Sequence, residues 1–172
     1  VSQTDSRGGA SDLAEVTDTP VILIVNAKGC SRSVLPVIRG FLDFQKKPMI
    51  RGVILNQISP MLYPRLKKVI EEELGIRVVG YVPVLKDCVL ESRHLGLMMP
   101  DEISSIREKL DTLAKRLSET LDLDRILAIA GEAPELSETT PLDEDSLRNS
   151  FPGLRIGLAK DEAFCFFYED NL

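Results

Sequence analysis

The chain has 172 residues, of which 44% are hydrophobic, and its 27 acidic and 21 basic residues give a net charge of −6. This length and composition predict an ordinary domain with a continuous apolar core that needs neither disulfides nor metals. The acidic balance argues against nucleic acid or an anionic membrane as the main partner. The three cysteines lack C-x-x-C spacing, and no membrane span or signal peptide is recognisable, so a soluble protein of the reducing cytoplasm is expected.

Three apolar runs predict buried strands. After a short helix expected at 11–16, the segment "VILIVN" at 21–26 is a continuous β-branched run, which is typical of a strand buried on both faces of a parallel sheet. The same kind of run returns at 51–56 and 77–83. Intervals of about 30 and 26 residues suit βαβ units, so we expect an α/β fold with a mainly parallel sheet.

Apolar stripes at helical spacing predict four longer helices, at 31–45, 60–75, 101–121 and 122–130. Gly75, the last residue of the second segment, and Gly131, directly after the fourth, are expected to end these helices.

Composition divides the chain into three parts. Residues 1–130 hold the α/β pattern, whereas residues 131–153 are acidic and rich in Pro, Ser and Thr, as in a linker. Residues 154–172 begin again like a strand followed by a loop, so they are expected to open a second, truncated domain. The chain as a whole is expected to be part of a longer protein.

Because parallel strands joined by crossover helices end along the same edge of the sheet, ligands are expected at that edge. The loop "NAKGCSRS" offers Lys28, the hydroxyls of Ser31 and Ser33, and backbone N–H groups at a helix start, which suit an anion or only cap the helix. Asn56 ends an apolar strand, and its amide either matches the N6 and N7 edge of adenine or caps the turn before Pro60.

The stretch "ESRHLGLMMPDE" holds the single histidine, His94, which is either a ligand-contacting residue or a structural side chain. Cys30, Cys88 and Cys165 are interpreted as structural. The sequence contains no P-loop, no G-x-G-x-x-G fingerprint, no G-x-S-x-G elbow and no metal-spaced cluster of His or Cys. It therefore predicts neither a complete catalytic site nor a metal site within these residues.

Five blocks together resemble the central part of the cobyrinic acid a,c-diamide synthases, which are glutamine- and ATP-dependent amidoligases of corrin biosynthesis. They are "TPVILIVNAKGCSRSVLPVIRGF", "IRGVILNQI", "GIRVVGYVP", "SRHLGL" and "RIGLAKDEAFCFFYEDNL". The resemblance implies a three-layer, P-loop-type sandwich similar to dethiobiotin synthetase, incomplete at its N-terminal part. Residues 1–130 would be the C-terminal part of the domain that binds ATP and the corrinoid, and residues 154–172 the start of a class I glutaminase domain.

The resemblance also implies a chemistry. ATP phosphorylates a peripheral carboxylate, and ammonia released from glutamine attacks the acyl phosphate, so MgATP, a corrinoid and glutamine are the expected cofactor and substrates. The phosphate loop, the magnesium-binding acids and the glutaminase cysteine of the family would lie outside this sequence, which alone is expected to be inactive. A homodimer is left open.

Site residues carry over by position. Asn56 corresponds to an asparagine that reads adenine, and Pro83 lies beside the base. Arg32, between Ser31 and Ser33, matches a loop that faces the ligand edge. Arg93 and His94 match a family motif inferred to close over phosphate or a corrin carboxylate. Asn26 stands where the family often has Asp, which weakens the case for a metal or acid role there.

Two rival interpretations remain. One is a sister amidoligase, such as cobyric acid synthase or nickel-sirohydrochlorin a,c-diamide synthase. The other is a catalytically silent binding or regulatory domain similar to dethiobiotin synthetase.

Overall fold

The structure is a computed structural model. It describes residues 9–44, 49–89, 106–135, 153, 155–161, 164, 167 and 168. The chain separates into two compact units, residues 1–135 and residues 136–172.

A three-stranded parallel sheet forms the centre of the first unit. Its strands are β1 (Val21–Asn26), β2 (Ile50–Asn56) and β3 (Arg77–Val82), and they lie in the order β1-β2-β3. All three strands predicted from the apolar runs are present, with ends that differ by at most one residue. The mainly parallel α/β architecture is therefore confirmed.

Helices connect and cover the strands. They are α1 (Ala10–Val16), α2 (Val34–Phe44), α3 (Tyr63–Leu74), α4 (Ile106–Thr120) and α5 (Leu123–Ala130), with a short 3-10 turn at Lys86–Cys88. The helix α2 begins three residues later than predicted because residues 31–33 form a turn, in which Val34 N–H donates to the Ser31 carbonyl at 3.3 Å. Gly75 adopts a left-handed conformation with a φ of 67° and ends α3, as predicted. None of the described helices is long and apolar enough to cross a bilayer.

The two faces of the sheet carry different cores. On one face α2 and α3 pack against all three strands, and Ile38, Leu55 and Ile70 are fully buried there. On the other face Ile129 of α5 packs against Ile54 and Val79, which belong to β2 and β3. The result is a three-layer α/β sandwich in which helices cover both sides of the sheet.

The strand β1 differs from the prediction that both of its faces are buried. Val25 is buried in the first core, but Ile24, on the opposite face, is 64% exposed. The reason is that the cluster around Ile129 of α5 is centred on β2 and β3, and the β1 residue that packs against it is Ile22 rather than Ile24. A run of β-branched residues thus predicted the strand correctly, whereas its burial on the second face depends on whether another element covers it.

A β-bulge in β3 alters the faces of its side chains. Val53 pairs with Val78 and Ile54 pairs with Gly80, so Val79 is an extra residue in the ladder. Beyond the bulge, Tyr81 lies on the same face as Val78, where its ring stacks on that of Tyr63 with centroids 4.3 Å apart.

Gly80 adjoins this bulge, and its backbone meets the link between α4 and α5. Its φ is 147°, and Leu121 forms an antiparallel bridge with it. A Cβ at this position would lie 2.7 Å from the Cα of Leu121. Only glycine permits both the backbone conformation and this approach.

In the second unit, the prediction of a strand at the start of residues 154–172 is wrong for the described residues. Residues 155–160 have neither helix nor strand, because no described strand pairs with them. After them, Phe164 N–H donates to Asp161 Oδ1 at 2.8 Å. Apolarity alone indicated a strand here, but a strand also needs a hydrogen-bonded neighbour.

Replacing Gly80 with Ala tests the contact between β3 and the α4–α5 link. We expect a loss of unfolding free energy of at least about 2 kcal/mol, because the side chain adds a steric overlap to a backbone conformation that L-residues avoid. Gly40→Ala is the control, since nothing lies within 4 Å of a Cβ there and the position is inside α2. Denaturant unfolding should show that the control is as stable as the unchanged chain or more stable. Equal stabilities of the two variants would contradict the contact.

Tyr63 gives a prediction for alkaline pH. Burial, and then the negative charge of Glu71, raise the pKa of the Tyr63 phenol above its usual value of 10.0. The folded state therefore keeps this proton at a pH where the unfolded chain has released it, so stability present below about pH 10 is lost as the pH rises through the raised value. We expect Tyr63→Phe to lose less stability than the unchanged chain between pH 9 and about 11 in denaturant titrations. If both proteins lose the same unfolding free energy over this pH range, the raised pKa of Tyr63 does not contribute to stability.

Candidate functional site

The three strands end along one line at the carboxyl edge of the sheet. Asn26 is the register partner of Asn56, and Asn56 is the register partner of Val82. The ladder extends one step further, because Ala27 N–H donates to the Asn56 carbonyl at 2.7 Å and Ile58 N–H donates to the Val82 carbonyl at 3.2 Å. The loops that follow the strands therefore leave the sheet side by side.

Asn56 holds the central position of this edge. Its side chain is half-buried and forms no hydrogen bond with the other described residues. The turn that follows is capped by Ser59, whose hydroxyl accepts from Leu62 N–H at 3.3 Å and whose carbonyl accepts from Tyr63 N–H at 3.2 Å. The amide of Asn56 thus keeps a donor and an acceptor for a ligand, which is the requirement for recognising an adenine edge.

Pro83 is brought next to Asn56. It follows Val82, the register partner of Asn56, and its side chain is half-buried. A proline ring has no donor and offers an apolar wall, so the two neighbouring positions combine a hydrogen-bonding group with a surface that a flat base can contact. The predicted adenine contacts of Asn56 and Pro83 thus fall on neighbouring strand ends, and their role stays a prediction.

The β1–α2 loop lies beside them. Asn26 Oδ1 accepts from Lys28 N–H at 3.0 Å, so the side chain of Asn26 shapes this turn. Lys28, Ser31 and Ser33 are exposed, and their side chains form no hydrogen bond or ion pair with other described residues. They are available to solvent or to an anion.

Arg32 belongs to the same loop, but its guanidinium binds another element. Its Nη2 atom lies 2.8 and 2.9 Å from the two carboxylate oxygens of Glu73, in the last turn of α3. Sequence reasoning missed Glu73 because it is one of three consecutive acids, Glu71, Glu72 and Glu73, and the pattern does not show which of them reaches Arg32. The helical phase after folding decides this.

Two predicted site residues, Arg93 and His94, lie outside the described residues, as does Cys165. Their roles stay predictions. Cys30 and Cys88 are free and half-buried, and the thiol of Cys88 donates to the Lys109 carbonyl at 3.7 Å, a contact consistent with the structural role expected for it.

Among the described residues no three His, Cys, Asp or Glu side chains cluster in a way that could hold a metal. At the sheet edge the strand-end side chain of β1 is the amide of Asn26, and its oxygen already accepts a backbone N–H. The strand end of β1 therefore presents an amide rather than the carboxylate that Mg²⁺ prefers.

Comparison with known proteins gives one consistent relationship. The chain is 38% identical over 172 residues to a cobyrinate a,c-diamide synthase of Dehalococcoides mccartyi, an alignment that covers 96% of this chain and 36% of the relative. Enzymes of the same name are 35% identical over 170 residues in Caldanaerobacter subterraneus and 36% identical over 167 residues in Listeria monocytogenes. No family model and no solved structure matches.

The fold defines the class, a three-layer α/β sandwich with a parallel sheet; open sheets of this kind generally bind ligands beyond the carboxyl ends of their strands. Within that class, the chain is related over nearly all of its length to one region of the cobyrinate a,c-diamide synthases. It spans about a third of the length of the curated relatives that it matches.

The adenine role of Asn56 can be tested in the longer protein. Asn56→Ala removes up to two hydrogen bonds, each worth about 0.5–1.5 kcal/mol, so we expect ATP affinity to fall about 5- to 150-fold in calorimetric titration. Folding stability should stay unchanged, because the side chain has no partner among the described residues. Ser59→Ala is the control: it should lower stability through the lost cap and leave ATP affinity unchanged. An unchanged ATP affinity for Asn56→Ala would exclude the adenine contact.

Proposed function

We propose that the chain is part of an ATP-dependent amidoligase that amidates the a and c carboxylates of cobyrinate with ammonia derived from glutamine, a step of cobalamin biosynthesis. The alignment of 96% of the chain with an enzyme named cobyrinate a,c-diamide synthase carries this proposal. Residues 1–130 would contribute to the domain that binds ATP and the corrinoid, residues 131–153 would be a linker, and residues 154–172 would begin the glutaminase domain. The enzyme would act in the cytoplasm.

The proposed reaction needs an activated carboxyl group, because a carboxylate is a poor electrophile at neutral pH. ATP would supply the phosphoryl group that converts the carboxylate into an acyl phosphate. Ammonia then attacks the acyl carbon and phosphate leaves. The protein's contribution to such a transfer is mainly positioning and neutralisation of charge.

The residues of this chain would take part through binding. Asn56 would accept and donate hydrogen bonds at the adenine edge, with Pro83 against the ring. Lys28, with the hydroxyls of Ser31 and Ser33, would face the anionic groups of the ligands. These assignments are supported by the shared edge of the strands, which brings the β1–α2 loop beside Asn56.

Turnover by the longer protein tests the proposal. Incubation with cobyrinate, MgATP and glutamine should yield the a,c-diamide, detected by mass spectrometry, together with ADP and glutamate. Cobyrinic acid a,c-diamide and nickel-sirohydrochlorin serve as competing acceptors. Faster amidation of either acceptor would reassign the enzyme to a sister reaction, and no ATP-dependent amidation of any of them would support a silent binding domain.

The 172-residue chain alone should neither hydrolyse ATP nor amidate a corrinoid. We expect it to bind MgATP no more tightly than about millimolar, which is about −4 kcal/mol, because its sequence has no P-loop for the phosphates. Isothermal titration calorimetry and a phosphate-release assay measure both properties. Micromolar binding, or phosphate release above the blank, would mean that these residues contain a complete phosphate site.

A further inference from the structure

An ion pair joins the β1–α2 loop to the end of α3. Arg32 donates through Nη2 to both carboxylate oxygens of Glu73, at 2.8 and 2.9 Å. Arg39 of α2 donates to the main-chain carbonyl of the same Glu73 at 3.2 Å, and its Nη1 lies 3.7 Å from Asp43 Oδ1. The carboxylate of Glu73 therefore has Arg32 as its close cationic partner among the described residues.

This ion pair is short but exposed. The side chains of Arg32 and Glu73 keep 65% and 46% of their surface in solvent. Because water screens exposed charges, such a pair contributes little to stability. A ligand that carries phosphate or carboxylate groups offers the guanidinium the same kind of charge-assisted hydrogen bonds. Glu73 can therefore hold Arg32 when no such ligand is near and release it when one binds.

The neighbouring cation is placed differently. Lys28, four residues earlier in the same loop, is exposed and has no ion-pair partner among the described residues. The loop thus carries one cation that is available and one that is already paired. An anion that uses both must displace the Glu73 carboxylate from Arg32, which lowers its apparent affinity.

We propose that Glu73 is a positioning residue that holds the Arg32 guanidinium on α3 and competes for it with the anionic groups of the ligand. This inference rests on the proposed function, since it concerns the phosphates of ATP or the carboxylates of cobyrinate at the β1–α2 loop. Glu73 would act through Arg32 alone and would not touch the ligand.

The test is a cycle of variants of the longer protein, titrated separately with MgATP and with cobyrinate by isothermal titration calorimetry. Glu73→Gln removes the competitor, so we expect it to tighten binding about 2- to 5-fold, the range that an exposed pair allows. Arg32→Gln should weaken binding of the same ligand. In the double variant Arg32→Gln with Glu73→Gln, the second change should have no further effect. The ligand that shows this pattern identifies whether phosphate or carboxylate takes Arg32.

Glu72→Gln is the matched control. It removes the same charge from the same helix, but Glu72 pairs with Lys68 at 3.8 Å and not with Arg32. We expect its affinities to equal those of the unchanged longer protein. Circular dichroism and thermal unfolding show whether each variant is folded.

Three outcomes would overturn the inference: no change in Glu73→Gln with either ligand, an equal gain in Glu72→Gln, or a gain from Glu73→Gln that persists without Arg32. The last two would show a general effect of net charge. A fourth outcome, no binding of either ligand to the unchanged longer protein, would overturn the inference and would also contradict the proposed function. Turnover of the longer protein is measured independently, so amidation with no Glu73 effect leaves the proposed function standing and removes only this inference.

Discussion

Parallel pairing of the strands is the constraint on which the site depends. Each parallel connection must carry the chain back across a face of the sheet, and α2 and α3 both do so over the same face, where they bury the first core. All three strands consequently end on one edge, with Asn26, Asn56 and Val82 in register. The polar groups after the strands meet there because the apolar strands cannot bury them.

The helix α3, which begins after the turn that follows Asn56, is anchored on β3. Tyr63, the first residue of α3, stacks on Tyr81 of β3, and Tyr81 reaches that face because the bulge at Val79 changes the alternation of the strand. Glu71 of the same helix accepts the backbone N–H of Val78 at 3.0 Å. These contacts fix α3 against β3, and α3 is the helix that begins after the turn following Asn56.

The outer edge of β3 is closed by the link between α4 and α5. Asp122 N–H donates to the Val79 carbonyl at 2.8 Å, while Asp122 Oδ1 caps α5 by accepting from Arg125 N–H at 3.1 Å. Asp122 thereby provides a hydrogen bond to a carbonyl on the edge of β3 and another to a backbone N–H at the start of α5, the helix that covers the second face. The edge of β1 has no such cover among the described residues, and Ile24 stays exposed beside it.

Much of the fold could be predicted from local patterns. The three β-branched runs determined the strands, and the intervals between them determined parallel connections, because a crossover needs a helix of about this length. Gly75 marked the end of α3, since it adopts a conformation that other residues avoid. Asn56 and Pro83 could be named as neighbours because both stand at the ends of adjacent parallel strands.

Other features depended on contacts between residues far apart in the sequence, and only the tertiary structure decided them. The sequence did not show that Val79 is a bulge, because nothing local marks the close approach of Leu121 to Gly80. It did not show that Ile24 is exposed, because burial depends on which helix covers the face. Nor did it pair Arg32 with Glu73, 41 positions away, because the reach of two flexible side chains depends on how α2 and α3 pack. Sequence patterns report what each segment prefers, whereas burial and pairing are properties of the assembled surfaces.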